Sequence, residues 1–87
     1  MLTKNLVTWT KFAGQYCDGD IGQHKRITLD ECKTKCLSDP TKKCKFINYS
    51  SIGTCYLETA EQCADNKRGS DSGYDIYQPV ESAQGKL

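Results

Sequence analysis

The sequence predicts an α+β domain: an antiparallel sheet with one helix packed across it, stapled by three disulfides. Three observations predict it. Six cysteines stand between Cys17 and Cys63 in a chain of 87 residues, a size at which the apolar core is thin and a staple is expected. One segment carries a helix start signal followed by two cysteines one turn apart. Around it lie short runs rich in aromatic and β-branched residues, each bounded by turn residues.

Taken in chain order, Val7-Thr-Trp9-Thr-Lys-Phe12 alternates and reads as a strand. Cys17-Asp-Gly-Asp-Ile-Gly22 reads as a turn. Asp18 and Asp20 lack the further acidic ligands and the closing Glu of a calcium loop. His24, beside Lys25-Arg26, falls in the glycine-containing loop before the helix. Thr28-Leu-Asp-Glu31 matches a capping box, with Thr28 placed to cap the third amide and Glu31 to reach back. Asp39-Pro40 stops the helix, which therefore spans Leu29 to Ser38. Leu29, Cys32 and Cys36 share one face. Cys44-Lys-Phe-Ile-Asn-Tyr49 is a strand, Ser50-Ser-Ile-Gly53 a turn, and Thr54-Cys-Tyr-Leu-Glu58 the returning strand of a hairpin. The stretch from Gln62 to Arg68 is irregular or a helical turn. Ser70-Asp-Ser-Gly73 is a turn and Tyr74-Asp-Ile-Tyr77 a last short strand. Residues 9–78 form the compact part, with 1–8 an N-terminal extension and 79–87 a tail or linker.

The cysteines read as disulfides rather than metal ligands. No Cys-x2-Cys knuckle occurs and His24 is the only histidine, so neither a metal site nor a cofactor is implied. Cys32 and Cys36 run nearly parallel from one helix face, which disfavours a bond between them. Cys36 leaves the helix end close to Cys44, and Cys32 can reach Cys55 on the hairpin. Cys17 and Cys63 are left to join the flanks. Such loops are worth about 4, 3.5 and 2.6 kcal/mol taken singly, outer to inner, and less in sum because they are nested. Disulfides place the domain in an oxidising compartment, secreted or extracellular.

A net charge of +1 gives no overall field for nucleic acid. No run is long enough to insert in a membrane. The N-terminus lacks the apolar run of a signal peptide, and the expectation is a domain of a longer multidomain chain. No nucleophile and base can be assembled around the lone His24, so no enzyme activity is expected.

The residues that set the helix and hairpin also resemble a family. Thr28-Leu-Asp-Glu-Cys32-Lys-Thr-Lys-Cys36, Cys44-Lys-Phe-Ile-Asn-Tyr49 and Gly53-Thr-Cys55-Tyr-Leu57 look like the core of the PAN/apple domain superfamily. The likeness extends from the Trp9–Cys17 approach to the Ser72–Tyr77 close. It implies a curved sheet of about five strands with the helix tied to the central ones. In the family the third bond ties the domain ends, whereas Cys63 here precedes the last strand.

The resemblance implies a non-catalytic recognition module. Its expected ligand is a protein, in adhesion, or a carbohydrate, in a lectin-like role, at a cell surface or in the extracellular matrix. A stand-alone secreted inhibitor or effector is the remaining alternative. Tyrosines beside polar groups suit either ligand. Tyr49 is expected in the core. Tyr56 and Tyr77 alternate with Leu57 and Ile76 and are expected to face outward as ligand-binding residues, with Lys43 and Lys45 as further, basic candidates. Asn48-Tyr49-Ser50 is a glycosylation sequon that places a candidate glycan on Asn48.

Overall fold

The computed structural model of the protein describes residues 7–81. Its elements run β1 (Val7–Tyr16), β2 (Gly22–His24), α1 (Leu29–Leu37), β3 (Phe46–Ser50), β4 (Cys55–Glu58) and β5 (Gly69–Glu81), with a 3₁₀ turn at Asp65–Lys67 ahead of β5. The strands form one five-stranded sheet in the order β1-β5-β3-β4-β2, with each neighbouring pair antiparallel. The helix packs on β3 and β4. This is the expected α+β architecture.

The helix forms where its cap dictates. The Glu31 amide donates to Thr28 Oγ1 at 3.1 Å, and the Thr28 amide donates to Glu31 Oε1 at 2.7 Å. Two of the orphan amides of the first turn are thereby satisfied. The helix ends at Leu37, with Ser38 as its C-cap. Asp39 then organises the exit. Its carboxylate accepts from the Thr41 hydroxyl and from the amides of Thr41, Lys43 and Cys44, at 2.7–3.2 Å. These bonds, the Thr41 hydroxyl first, hold its carboxyl below the usual range. Because this turn uses the amides up to Cys44, β3 opens at Phe46, two residues later than the sequence suggests.

Both sheet faces are covered, which decides where each alternating side chain goes. Under the helix lie Cys32, Cys36, Cys44, Ile47, Cys55, Leu57 and Tyr77, with Trp9, Ile27, Leu29 and Tyr49 packed against them. On the opposite face lie Cys17, Phe46, Cys63 and Ile76, with Phe12 alongside. Three disulfides close these layers: Cys32–Cys55 and Cys36–Cys44 on the helix side, Cys17–Cys63 on the other. Arg68 clamps the second face. Its Nε donates to the Cys63 carbonyl at 2.8 Å, and its guanidinium lies over Phe12 at 4.4 Å and Phe46 at 5.5 Å.

Four expectations are corrected by the strands. β1 continues past Phe12 to Tyr16, because a bulge at Gly14, with φ of +69°, absorbs the break in alternation. β5 runs from Gly69 to Glu81, so Pro79 and Val80 belong to its ladder with β1 rather than to a tail, as do Val7 and Thr8 on β1. The Ser70–Gly73 turn is an excursion inside that strand: Gln15 pairs with Ser70 and Ala13 with Asp75, and the residues between leave the β1 ladder. His24 sits on the three-residue strand β2, opposite Cys55, not in a loop. Residues 1–6 and 82–87 of the expected extension and tail lie outside the described residues.

Candidate functional site

The excursion in β5 opens a concavity on the face away from the helix. Alternation aims Tyr56 and Glu58 of β4 and Asn48 of β3 toward that face, because their neighbours Cys55, Leu57 and Ile47 point into the helix-side core. Tyr16 closes β1 at one side, and Asp71 and Tyr74 come from the β5 excursion at the other. With Asp20 from the β1–β2 loop they enclose about 380 Å³. The rings of Tyr16 and Tyr56 each stand 6.2 Å from that of Tyr74, tilted by 58° and 50°. Gly69 pairs with Tyr16 across the ladder, and a Cβ there would fall inside contact distance of the Tyr16 ring. The absent side chain is what lets that ring lie over the strand. The neighbouring Tyr56 hydroxyl is the main cause that raises the Tyr74 phenol.

Glu58 forms the floor. It is 1% exposed, and its Oε1 meets no hydrogen-bond donor among the described residues. Burial, then the charges of Asp20 and Asp18, push its carboxyl up to about 8. Glu58 lies within 4.8 Å of the sulfurs of Cys17 and Cys63. Those sulfurs are joined in a disulfide and offer no thiolate to a metal. They form instead an apolar wall that deepens the desolvation. Asn48 locks the cleft edge: its Oδ1 accepts from the Cys17 amide at 2.9 Å, and its Nδ2 donates to the carbonyls of Asp75 at 3.0 Å and Gln15 at 3.3 Å.

The other residues singled out in the sequence disperse. Tyr56 lines the cleft, half-buried. Tyr77 does not face outward. It is 9% exposed in the helix-side core, beneath the Lys33 ammonium at 5.5 Å, because the helix covers the face it points to. Burial raises its phenol. Tyr49 is half-buried against the same core, and its hydroxyl donates to the Ile27 carbonyl at 2.6 Å. Lys43 and Lys45 are exposed beside Thr59–Glu61, away from the cleft. The expected glycan on Asn48 is corrected: the residue is 3% exposed and its Nδ2 is committed to two carbonyls, so the folded domain leaves no room for a sugar there. Tyr16, Tyr74 and Glu58 were not singled out as site residues. A carboxylate closing a strand reads as solvated, but this one is buried beside the Cys17–Cys63 bond, which is remote in sequence.

The model of the PAN domain family matches residues 8–80. This chain belongs to the PAN domain family. PAN domains are generally non-catalytic modules that bind proteins or carbohydrates, and disulfide-bonded members occur in extracellular proteins. Neither a curated protein nor a solved structure matches the chain. The matched span of this PAN domain covers the β1–β5 ladder except its Val7–Glu81 pair, and every residue of the cleft. No helix among the described residues is long and apolar enough to cross a membrane.

Proposed function

We propose that this PAN domain is a non-catalytic, secreted or extracellular recognition module that binds a protein ligand in adhesion, and that the tyrosine cleft is its contact site. The observation that carries the reading is the grouping of Tyr16, Tyr56 and Tyr74 around a concavity with a polar floor. A tyrosine offers a large amphipathic surface at a low cost in side-chain entropy and is enriched among the residues that carry protein interfaces. Three disulfides in so small a domain fit an extracellular setting. The same rings suit stacking on a sugar, which keeps a lectin role as the second reading.

The immobilised domain, displayed to an array of cell-surface ectodomains and in parallel to a glycan array, separates the two. Saturable binding to a protein that weakens at least tenfold in Tyr56→Ala or Tyr74→Ala is the expected result. Binding to glycans alone, lost in the same variants, replaces the adhesion reading with the lectin one. Protein binding that neither variant weakens removes the cleft as the contact site.

A further inference from the structure

The cleft has a charge problem that its own residues do not solve. The Glu58 carboxyl is buried with one oxygen unpaired, which costs the fold free energy that an apolar residue there would not. The groups around it add to the cost. Asp18 and Asp20 approach from the β1–β2 loop, and Asp71 lines the cleft from β5. The walls from β1, β4 and β5 are the Tyr16, Tyr56 and Tyr74 rings, and β3 contributes the neutral Asn48. The Asn48 amide hydrogens are already spent on Asp75 and Gln15. No lysine, arginine or histidine is among the described residues that line the cleft. What would satisfy every one of these groups is a cation with an apolar stem.

We propose that the cleft is a receptor for the alkylammonium group of a lysine side chain on a partner protein, with Glu58 as counter-charge at the floor and Tyr16, Tyr56 and Tyr74 as walls. The proposal rests on the reading of the cleft as the recognition site. Ring faces attract an ammonium and pack its methylene stem at once. A buried carboxylate at the end of the slot discriminates against neutral side chains of the same shape, which would leave it unpaired. A divalent metal fits less well. It demands six to eight oxygens in calcium's case, whereas the cleft sets three tyrosine rings beside the carboxylates of Asp20, Glu58 and Asp71, and an oxygen-only shell leaves those ring faces unused.

Cation entry is coupled to proton release. The empty site holds its proton up to about pH 8, so below that value the ammonium must displace it. Affinity therefore rises about tenfold per pH unit up to about pH 8 and then levels, while the lysine ammonium itself stays charged to about pH 10.

The test is amide-detected NMR titration of the ¹⁵N-labelled domain with Nα-acetyl-lysine methylamide at pH 6, 7 and 8.5. The norleucine analogue, methyl glycosides and calcium chloride serve as parallel probes. Shifts at Tyr56, Glu58, Asp71 and Tyr74 with the lysine amide alone are expected. Affinity should rise with pH as above, and in Glu58→Gln it should fall at least tenfold at pH 8.5 and lose its pH dependence. Glu58→Gln keeps the shape of the floor, and its amide spectrum reports folding directly. Equal shifts from the norleucine analogue, or a pH-independent affinity, overturn the cation receptor. Shifts at the same residues from a glycoside or calcium but not from lysine overturn it while leaving the cleft a recognition site. Silence of the cleft residues toward every probe overturns it too, and the array experiment on Tyr56→Ala and Tyr74→Ala then decides separately whether the cleft is a contact site at all.

Discussion

Glu58 is held where it is at a cost to the fold, and the cost has a sign. Its carboxyl titrates from an ordinary value of 4.5 up to about 8 in the folded domain. Between those values the unfolded chain has released the proton and the folded one has not, so stability falls as pH rises from about 4.5 to about 8. Glu58→Gln is neutral in both states and removes that slope. Urea unfolding should find the variant close to wild type at pH 4 and more stable by several kcal/mol at pH 8, with about 5 kcal/mol as the upper bound. A wild type that is the more stable of the two at pH 8 would show that the carboxyl has a partner after all. A substitution that stabilises the fold and weakens ligand binding marks a residue kept for function. Gly69 tests the walls in the same spirit. Gly69→Ala places a methyl where the Tyr16 ring lies, so it should shift the Tyr16 ring resonances and weaken binding of the lysine amide several-fold. The melting temperature should change by only a few degrees, since a ring at the cleft edge can swing toward solvent.

The elements differ in how much of them was written locally. The helix was legible almost to the residue, because its start is fixed by side chains three positions apart and its end by Asp39-Pro40. Thr28→Ala should cost about 1 kcal/mol by removing the cap, with thermal denaturation at neutral pH as the check. The variant Thr28→Ser, which keeps the hydroxyl, should recover most of it. The β3–β4 hairpin was legible from its aromatic and β-branched runs. β2 was not: Gly22-Gln-His24 has no strand-forming residue, and it is a strand only because β4 offers it an edge, with the Ile21 amide also donating to the Leu57 carbonyl at 2.8 Å. The length of β5 was hidden by Ser70–Gly73, whose composition signals a turn while the chain makes an excursion and resumes. That excursion makes the cleft, so the site was the least legible part of the fold. Alternation put Tyr56 on the face it occupies, away from the helix. Tyr77 was misplaced by the same rule, because alternation separates two faces but does not say that both are covered.

At the scale of the whole molecule the domain is two thin cores on one sheet, stapled independently. The helix-side core holds Cys32–Cys55 and Cys36–Cys44, with sequence separations of 23 and 8. The opposite core holds Cys17–Cys63, with a separation of 46, and this is the side that bears the cleft. Loop-closure entropy makes the last bond the most stabilising of the three, at about 4 kcal/mol as an upper estimate. Its removal should not act evenly. In Cys17→Ser/Cys63→Ser the helix keeps its cap and both of its bonds. The opposite face loses the tie beneath Glu58 and the anchor that holds the Cys17 amide on Asn48. Native-state hydrogen exchange should then show the Asp18 amide, which donates to the Gln62 carbonyl at 2.9 Å, and the β5 amides near the excursion opening much faster than in wild type. The amides of α1 and of the β3–β4 hairpin should lose at most the global stability difference, about 2–4 kcal/mol. A uniform loss across both faces would mean the sheet couples them into one unit, and the cleft would then owe its shape to the whole fold rather than to this bond. Selective opening would instead assign the Cys17–Cys63 bond to the site. It sets the two cysteines beside Glu58, where they add to the burial that raises the carboxyl.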